Sequence, residues 1–318
     1  MTTQPEQLNG ASFSTYRIGG PIEEAYQPET LEEAVAVLNA IRPRLSVAGL
    51  GTTEFTVLGW GSNSLIASAG IEGVTLVTRK LAFVEPLSDT CIRFGAGVHL
   101  AKATKASLDA GLTGGEYMVG IPGTIGGAVR MNAGAMGQDT AAVVQQVLLY
   151  NFQTGSLEQW TPEQLGFRYR HSNIDPHYHV VLAADLNFQP GDPAQIRALI
   201  DKNMAFRKTH HPTEPNGGSV FRNPIARPDL KVGWMIDQLG GKQWVEGNVR
   251  VSPLHGNFII NLGNGTSTEV LRLMWRMKQA IAEAYQVEVI PENLLLGAMT
   301  REEHTLWHQL QGGVTIHG

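Results

Sequence analysis

Six glycines fall between Tyr117 and Gly137, at Gly120, Gly123, Gly126, Gly127, Gly134 and Gly137, and the only charge among them is Arg130. Glycine tolerates unusual dihedrals and lets a backbone be approached closely, so such a run folds tightly and turns amide N–H groups toward something flat or anionic. A phosphate-bearing cofactor is the natural candidate. A turn crowded by neighbouring strands also selects glycine, and a single glycine pair would carry little weight. A second run, Gly59-Trp60-Gly61-Ser62-Asn63-Ser64, follows the strand expected over Phe55 to Leu58 and adds hydroxyls to the amides, the inventory for gripping a pyrophosphate. It departs from G-x-G-x-x-G at Ser64, and Gly95-Ala96-Gly97 departs at Leu100, so a classical dinucleotide fold is set aside.

The remaining chemistry-bearing residues are scattered. Arg17 stands beside Gly19-Gly20, as either a surface charge or a phosphate contact. Arg168 and Arg170 flank Tyr169, a pattern that suits bidentate recognition of a carboxylate or phosphate but is also common on surfaces. Ser219 sits on the shoulder of Gly217-Gly218 with Asn223 four residues on, and as an isolated motif it reads as a turn residue. The pairs His304/His308, His210/His211 and His177/His179 lack a third ligand nearby, so no metal site is expected.

The elements that must position these groups follow from pattern. Thr30 to Ala40 reads as a helix opened by a Thr30/Glu33 capping box, His99 to Ala110 as a helix ending at Gly111, and Ala194 to Lys208 as a third. Val232 to Leu239 is a short helix; Thr266 with Glu269 opens a long one whose Val270, Met274, Met277, Ile281 and Ala284 form a core stripe. Strands are expected at Val74 to Thr78, Phe83 to Pro86, Ile92 to Gly95, Val143 to Phe152, Val180 to Phe188, Val249 to Val251 and Asn257 to Asn261. This is an α+β layout. Residues 1 to 13 read as a frayed lead, and Pro215-Asn216-Gly217-Gly218 as a break between domains.

Composition bounds the partners. A chain of 318 residues, 42% of them hydrophobic, suggests two or three domains. A net charge of -5 and a pI near 6.1 give no footprint for nucleic acid. The lone Cys91 excludes an intrachain disulfide and a Cys-rich metal site and suits a reducing cytoplasm. No signal pattern opens the chain and no apolar run approaches the roughly 18 residues of a membrane helix, so no membrane partner is expected.

Taken in order, Thr15 to Gly20, Gly59 to Leu65, Gly120 to Gly137, Tyr169-Arg170, Gly218 to Pro224, His255-Gly256-Asn257-Phe258-Ile259 and Pro291-Glu292 resemble the UDP-N-acetylenolpyruvoylglucosamine reductase (UDP-N-acetylmuramate dehydrogenase) family. The resemblance runs from about residue 14 to about residue 297, on the branch lacking an extra tyrosine-bearing substrate loop. It implies a two-part FAD-binding module of the PCMH type followed by a smaller α+β substrate-binding domain. The expected divisions are 1–78, 79–212 and 213–297, with 298–318 as a tail. It further implies non-covalent FAD, NADPH as co-substrate in the same pocket, a UDP-linked amino sugar, ping-pong kinetics, a monomer, and a role in peptidoglycan precursor synthesis.

By the same resemblance Arg170, Ser219 and Glu292 match the catalytic residues, and Tyr169 and Asn223 sit at substrate positions. Gly59, Gly61, Ser62, Asn63, Ser64, Gly120, Pro122, Gly123, Gly126, Gly127, Asn132 and Gly134 match the flavin-binding loops. The implied chemistry moves hydride from reduced flavin N5 to the vinyl carbon, with Ser219 giving a proton to the alpha carbon and Arg170 and Glu292 holding the negative charge. The chain departs from the family pattern at Trp60, Gly217, Gly240-Gly241-Lys242 and Asn293-Leu294. Two rival readings stay open: an alcohol or aldehyde oxidase on the same type of FAD module, and a binding protein that keeps the fold without turnover.

Overall fold

The computed structural model describes residues 4–45 and 55–312. They divide into two compact units, one formed within 1–6, 24–60 and 73–209 and the other within 7–23, 61–72 and 210–318. Each unit has its own hydrophobic core.

The first unit is built on an antiparallel sheet whose middle strand, His179–Asn187, is buried along almost its whole length, as a strand covered on both faces must be. It pairs on one side with Val144–Asn151, which in turn pairs with Ser156–Trp160, and on the other with Cys91–Gly95, which pairs with Val84–Pro86. Arg93 and Asp185, opposite one another in register, close a two-pronged ion pair at 2.7 and 2.9 Å. Phe55–Leu58 runs parallel to Val74–Val77.

Helix Leu31–Ile41 starts at Thr30, whose hydroxyl accepts the Glu33 N–H at 3.2 Å. Only half of the expected capping box forms, because the Glu33 carboxylate takes the N–H of Glu29 instead, at 2.9 Å. Helix Leu100–Asp109 is capped by His99, whose Nδ1 accepts from the Ala101 N–H at 3.2 Å. A third helix, Ile125–Met131, lies inside the glycine-rich stretch and packs on His179–Asn187. Pattern alone does not announce it, since two of its seven residues are glycine, which disfavours helix by about 1 kcal/mol each.

The second unit holds a four-stranded antiparallel sheet in the order Asn216–Ser219, Phe258–Asn261, Val249–Val251, Val245–Glu246. Over it lies the helix Ser267–Tyr285, opened by the complete Thr266/Glu269 capping box. Val270, Met274, Met277 and Ile281 are buried in the core as their spacing requires, whereas Ala284, beyond the last turn that meets the sheet, is exposed.

One sequence expectation is corrected here. The described part of the lead is ordered, with a strand Glu6–Asn9 and a 3-10 turn Gly10–Phe13 held by the Gly10 N–H on the Gly20 carbonyl at 2.9 Å. The segment beyond Gly297 forms a helix, Arg301–Leu310, opened by a Thr300/Glu303 capping box. It is tied to the long helix by Ser267 and Thr268 hydroxyls on the Glu303 carboxylate and by Lys278 Nζ on the Leu310 carbonyl at 2.8 Å. Just before it, Leu294–Leu296 pairs in parallel with Ser64–Ile66.

Candidate active site

In the first unit the glycine-rich stretch divides its amides between those bonded within the protein and those with no acceptor among the described residues. Thr124 caps helix Ile125–Met131, the Ile125 N–H reaches the Val98 carbonyl at 2.9 Å, and the Gly126 N–H reaches the Ala96 carbonyl at 2.9 Å. A Cβ on Gly126 would come within 3.0 Å of the Ala96 Cβ, so this glycine serves close packing of helix on strand. The expectation that Gly126 offers a bare amide is thereby corrected: its N–H is spent inside the fold.

Gly127 also spends its N–H, on the Thr124 hydroxyl at 3.4 Å, but it differs in the space around it. It is exposed, and a Cβ there would meet only the Thr124 hydroxyl, at 3.7 Å. The N–H groups of Gly120 and Gly123 have no acceptor among the described residues, and both glycines take positive φ, +69° and +136°. Pro122, between them, is exposed, and Gly134 lies in a short hairpin strand that pairs with Gln138–Asp139, where a Cβ would strike the Gln138 carbonyl at 2.5 Å.

Asn132 ends the helix in the left-handed conformation and is 2% exposed. Its Oδ1 accepts from the Ala141 N–H at 3.0 Å, and its Nδ2 donates to Asp139 at 3.0 Å and to the Arg168 carbonyl at 3.1 Å. That side chain is fully engaged within the protein, so its effect on a ligand runs through the turn it holds. In that turn Arg168 and His171 exchange backbone bonds of 3.0 and 3.1 Å, and Tyr169 and Arg170 form the tip. Arg170 has φ +52°, a conformation that costs a non-glycine residue about 1–2 kcal/mol and marks a position set by its surroundings. Its guanidinium reaches the Gly134 carbonyl at 3.1 Å and lies 5.1 Å from the Tyr169 ring centroid.

Arg207 donates to the Gly120 carbonyl at 3.0 Å. Burial, with the charge of Arg170 second, pulls its pKa down to about 10. Burial likewise holds Arg130 below the ordinary arginine value. A buried guanidinium with a second cation near it, beside unspent amides, is an arrangement that an anion relieves.

Gly59 and Trp60 complete this half. The Arg79 guanidinium donates to the carbonyls of Gly59 at 3.2 Å and Trp60 at 3.3 Å and lies 4.8 Å from the indole centroid, and His99 meets the same indole edge-on at 5.2 Å. The Trp60 side chain is thus held on a flank of the loop, 39% exposed.

In the second unit Gly61, with φ +62°, begins the other loop, and a Cβ there would fall 2.1 Å from the Phe13 carbonyl. The N–H groups of Gly61, Ser62 and Asn63 have no acceptor among the described residues, and the Ser62 and Ser64 hydroxyls donate to none. The Asn63 side chain is used differently, its Nδ2 donating to the Glu292 carbonyl at 2.9 Å.

Ser219 closes the edge strand Asn216–Ser219 just past a register shift, with Gly218 at φ +77°. Its neighbour Val220 accepts the Glu292 N–H at 2.8 Å, the Arg222 N–H reaches the Ile290 carbonyl at 3.0 Å, and Phe221 bridges Pro291. The fold therefore brings the backbones of Ser219 and Glu292 together across 73 positions of sequence. Asn223 Oδ1 accepts the first N–H of helix Val232–Gln238 at 3.0 Å.

Thr124, Arg79 and the engagement of Asn132 were not reached from sequence. For Thr124 a cue exists in Thr before an apolar residue; for the others the partners lie too far along the chain to form a pattern.

Comparison with known proteins defines the class first: residues 24–159 match the model of an FAD binding domain and residues 210–296 that of UDP-N-acetylenolpyruvoylglucosamine reductase, C-terminal domain. A UDP-N-acetylenolpyruvoylglucosamine reductase of Synechococcus sp. (strain WH7803) is 37% identical over 295 residues, covering 91% of this chain and 92% of the relative. One of Synechocystis sp. (strain ATCC 27184 / PCC 6803 / Kazusa) is 38% identical over 305 residues, covering 94% and 92%. The crystal structure of the enzyme from Thermus caldophilus superposes with a TM-score of 0.77 at 28% identity, covering 92% of this chain and 99% of that one. The chain belongs to the UDP-N-acetylenolpyruvoylglucosamine reductase family.

Proposed function

We propose that this chain reduces the enolpyruvyl group of UDP-N-acetylglucosamine enolpyruvate to give UDP-N-acetylmuramate, a peptidoglycan precursor, with NADPH as reductant and FAD as non-covalent cofactor. The observation that carries the reading is the run of unclaimed N–H groups at Gly61, Ser62 and Asn63 beside two hydroxyls, in a chain that also holds an FAD binding domain. These residues fit a diphosphate, and the space over Gly127 that a Cβ would fill fits close approach of a flat group.

FAD, when bound, supplies hydride chemistry between NADPH and the terminal vinyl carbon of the substrate. The protein supplies the proton and the charge. Ser219 gives its hydroxyl proton to the carbon alpha to the carboxylate, a strong enough base to take it from a weak acid that is well placed. Arg170 and Glu292 stabilise the negative charge that develops on the substrate carboxylate. Arg170 is suited to this by a backbone turn fixed through Asn132, and Glu292 by its N–H on Val220. Tyr169 and Asn223 contact the substrate.

Residues 1–78 and 79–212 supply the two FAD-binding parts and 213–297 the sugar nucleotide site. The enzyme acts as a monomer in the cytoplasm; among the described residues no helix is long and apolar enough to cross a membrane.

The test is stopped-flow absorbance on the purified protein. The expected record is yellow protein that bleaches with NADPH and regains its colour on adding the enolpyruvyl sugar nucleotide far faster than in air alone. Colourless protein that refuses added FAD, or reduced protein indifferent to that substrate, overturns the reading.

A further inference from the structure

We propose that Asn293 is the positioning residue that fixes Ser219 and Glu292 together, with Tyr16 as its anchor. The inference rests on the roles given to Ser219 and Glu292 above. Asn293 follows Glu292 directly and is 2% exposed. Its Nδ2 faces the Gly217 carbonyl at 2.7 Å, Asn63 Oδ1 at 3.0 Å and the Ser219 carbonyl at 3.3 Å, and its Oδ1 accepts from the Tyr16 hydroxyl at 2.9 Å.

The directions of these bonds are forced. The Gly217 and Ser219 carbonyls can only accept, so the amide nitrogen must face them and the oxygen must face Tyr16, whose hydroxyl must then donate. The same logic reaches Glu292 from the other side. Its carbonyl can only accept, so Asn63 turns Nδ2 toward it at 2.9 Å and leaves Oδ1 for Asn293.

Ser219 needs such a device because the chain before it is loose by composition. Gly217 and Gly218 precede it, Gly218 has φ +77°, and the strand register shifts between Asn216 and Ser219. Glycine at this point leaves backbone freedom that the sheet does not remove. Tyr16, fully buried, closes one side: a Cβ on Gly217 would lie 2.1 Å from its ring. Asn293 closes the other with bonds to the carbonyls on both sides of Gly218. One amide thus sets the main chain that carries the proton donor, while the residue just before it carries the carboxylate.

The experiment compares Asn293→Asp and Tyr16→Phe with the unaltered holoenzyme in both half-reactions. It also follows the solvent deuterium isotope effect on reoxidation and hydrogen exchange at the Glu292 and Val220 amides. Asn293→Asp keeps size and acceptor but loses the donors to the Gly217 and Ser219 carbonyls and to Asn63 Oδ1. In the flavin-loaded enzyme it is expected to leave reduction by NADPH within about threefold, slow reoxidation by the enolpyruvyl sugar nucleotide by about tenfold or more, and raise the isotope effect, on the scale of a lost buried hydrogen bond. Exchange at both amides should quicken. Tyr16→Phe, which removes one hydroxyl, should move the same observables in the same direction by a smaller factor and serves if the aspartate variant does not fold.

Equal slowing of both half-reactions, or reoxidation and exchange unchanged in both variants, overturns the proposal. If the unaltered protein itself is not reoxidised by that substrate, the functional reading fails instead, and exchange at Glu292 and Val220 alone decides whether Asn293 fixes this corner.

Discussion

The stretch Tyr117 to Gly137 and the corner Gly217 to Phe221 are both glycine-bearing turns attached to a strand or helix, and they use glycine for opposite ends. At Gly126 and Gly217 the missing side chain is filled by the protein itself, by Ala96 in one case and by the Tyr16 ring in the other. At Gly127 only the Thr124 hydroxyl comes near, at 3.7 Å, and at Gly218 only a carbonyl, at 3.9 Å, although there a φ of +77° is itself a reason for glycine. The difference teaches that a glycine count does not locate a ligand. What locates it is which glycines the fold has no reason of its own to require.

A second contrast follows. The first region works through backbone amides left over from folding, the second through two side chains brought together by the bond of the Glu292 N–H to Val220, the residue after Ser219. Substitutions should therefore separate binding from proton transfer. The largest effect is expected from Ser219→Ala, which should leave reduction by NADPH near normal and slow reoxidation by the sugar nucleotide by about 10²–10⁴-fold, the usual worth of a positioned proton donor. Near-normal rates in both half-reactions remove Ser219 from that role.

Gly217→Ala comes next. With 2.1 Å to the Tyr16 ring, overpacking should lower stability by about 1–3 kcal/mol, read as a fall in thermal midpoint. An unchanged midpoint means the ring moves aside, and the Tyr16 contact is then not a constraint.

Gly127→Ala sharpens the comparison most directly. In the helix Ile125–Met131 the change should hold or raise stability by about 0.5–1 kcal/mol, since alanine is the better helix former, while FAD affinity, measured by fluorescence titration, falls about tenfold. If affinity is unchanged, no ligand lies over that glycine.

The smallest effect concerns pH. His99 in the first unit and His255 in the second are both held below the ordinary histidine value, chiefly by burial. The unfolded chain then binds protons near pH 6.5 that the folded chain refuses, so stability is complete above that pH and is lost as pH falls through it toward the lower folded values. His99→Asn, which preserves a capping side chain, should flatten the acid slope by at most about 1.4 kcal/mol per pH unit. Denaturant melts at pH 7, 6 and 5 check this, and a slope unchanged by the substitution counts against burial as its cause.

The fold was legible wherever a local rule operates. Thr30 and Thr266 cap the helices assigned to them, and the strands over Phe55 to Leu58 and Val249 to Val251 coincide with their apolar runs. The helix Ile125–Met131 was not legible, because its support comes from Val98 and Ala96 carbonyls rather than from propensity. The ordered lead was missed for the same reason, its Gly10 N–H depending on Gly20. The helix Arg301–Leu310 carried a readable Thr300/Glu303 box that polarity obscured.

The site was legible as residue types and not as connections. Asn132 read as a cofactor contact, and its side chain braces the Arg168 turn, a connection no local pattern shows; Asn293 read as a departure and sits at the crossing of four hydrogen bonds.

The sequence by itself determined the caps, the alternation of strands, the glycine loops and the family to which the chain belongs, because each depends on residues within a few positions of one another or on motifs in fixed order. Only the tertiary structure decided which amides remain unspent and which side chains hold Ser219 and Glu292. Tyr16 and Asn293 meet across 277 positions, and a hydrogen bond between groups so far apart leaves no trace in local pattern until the chain has folded.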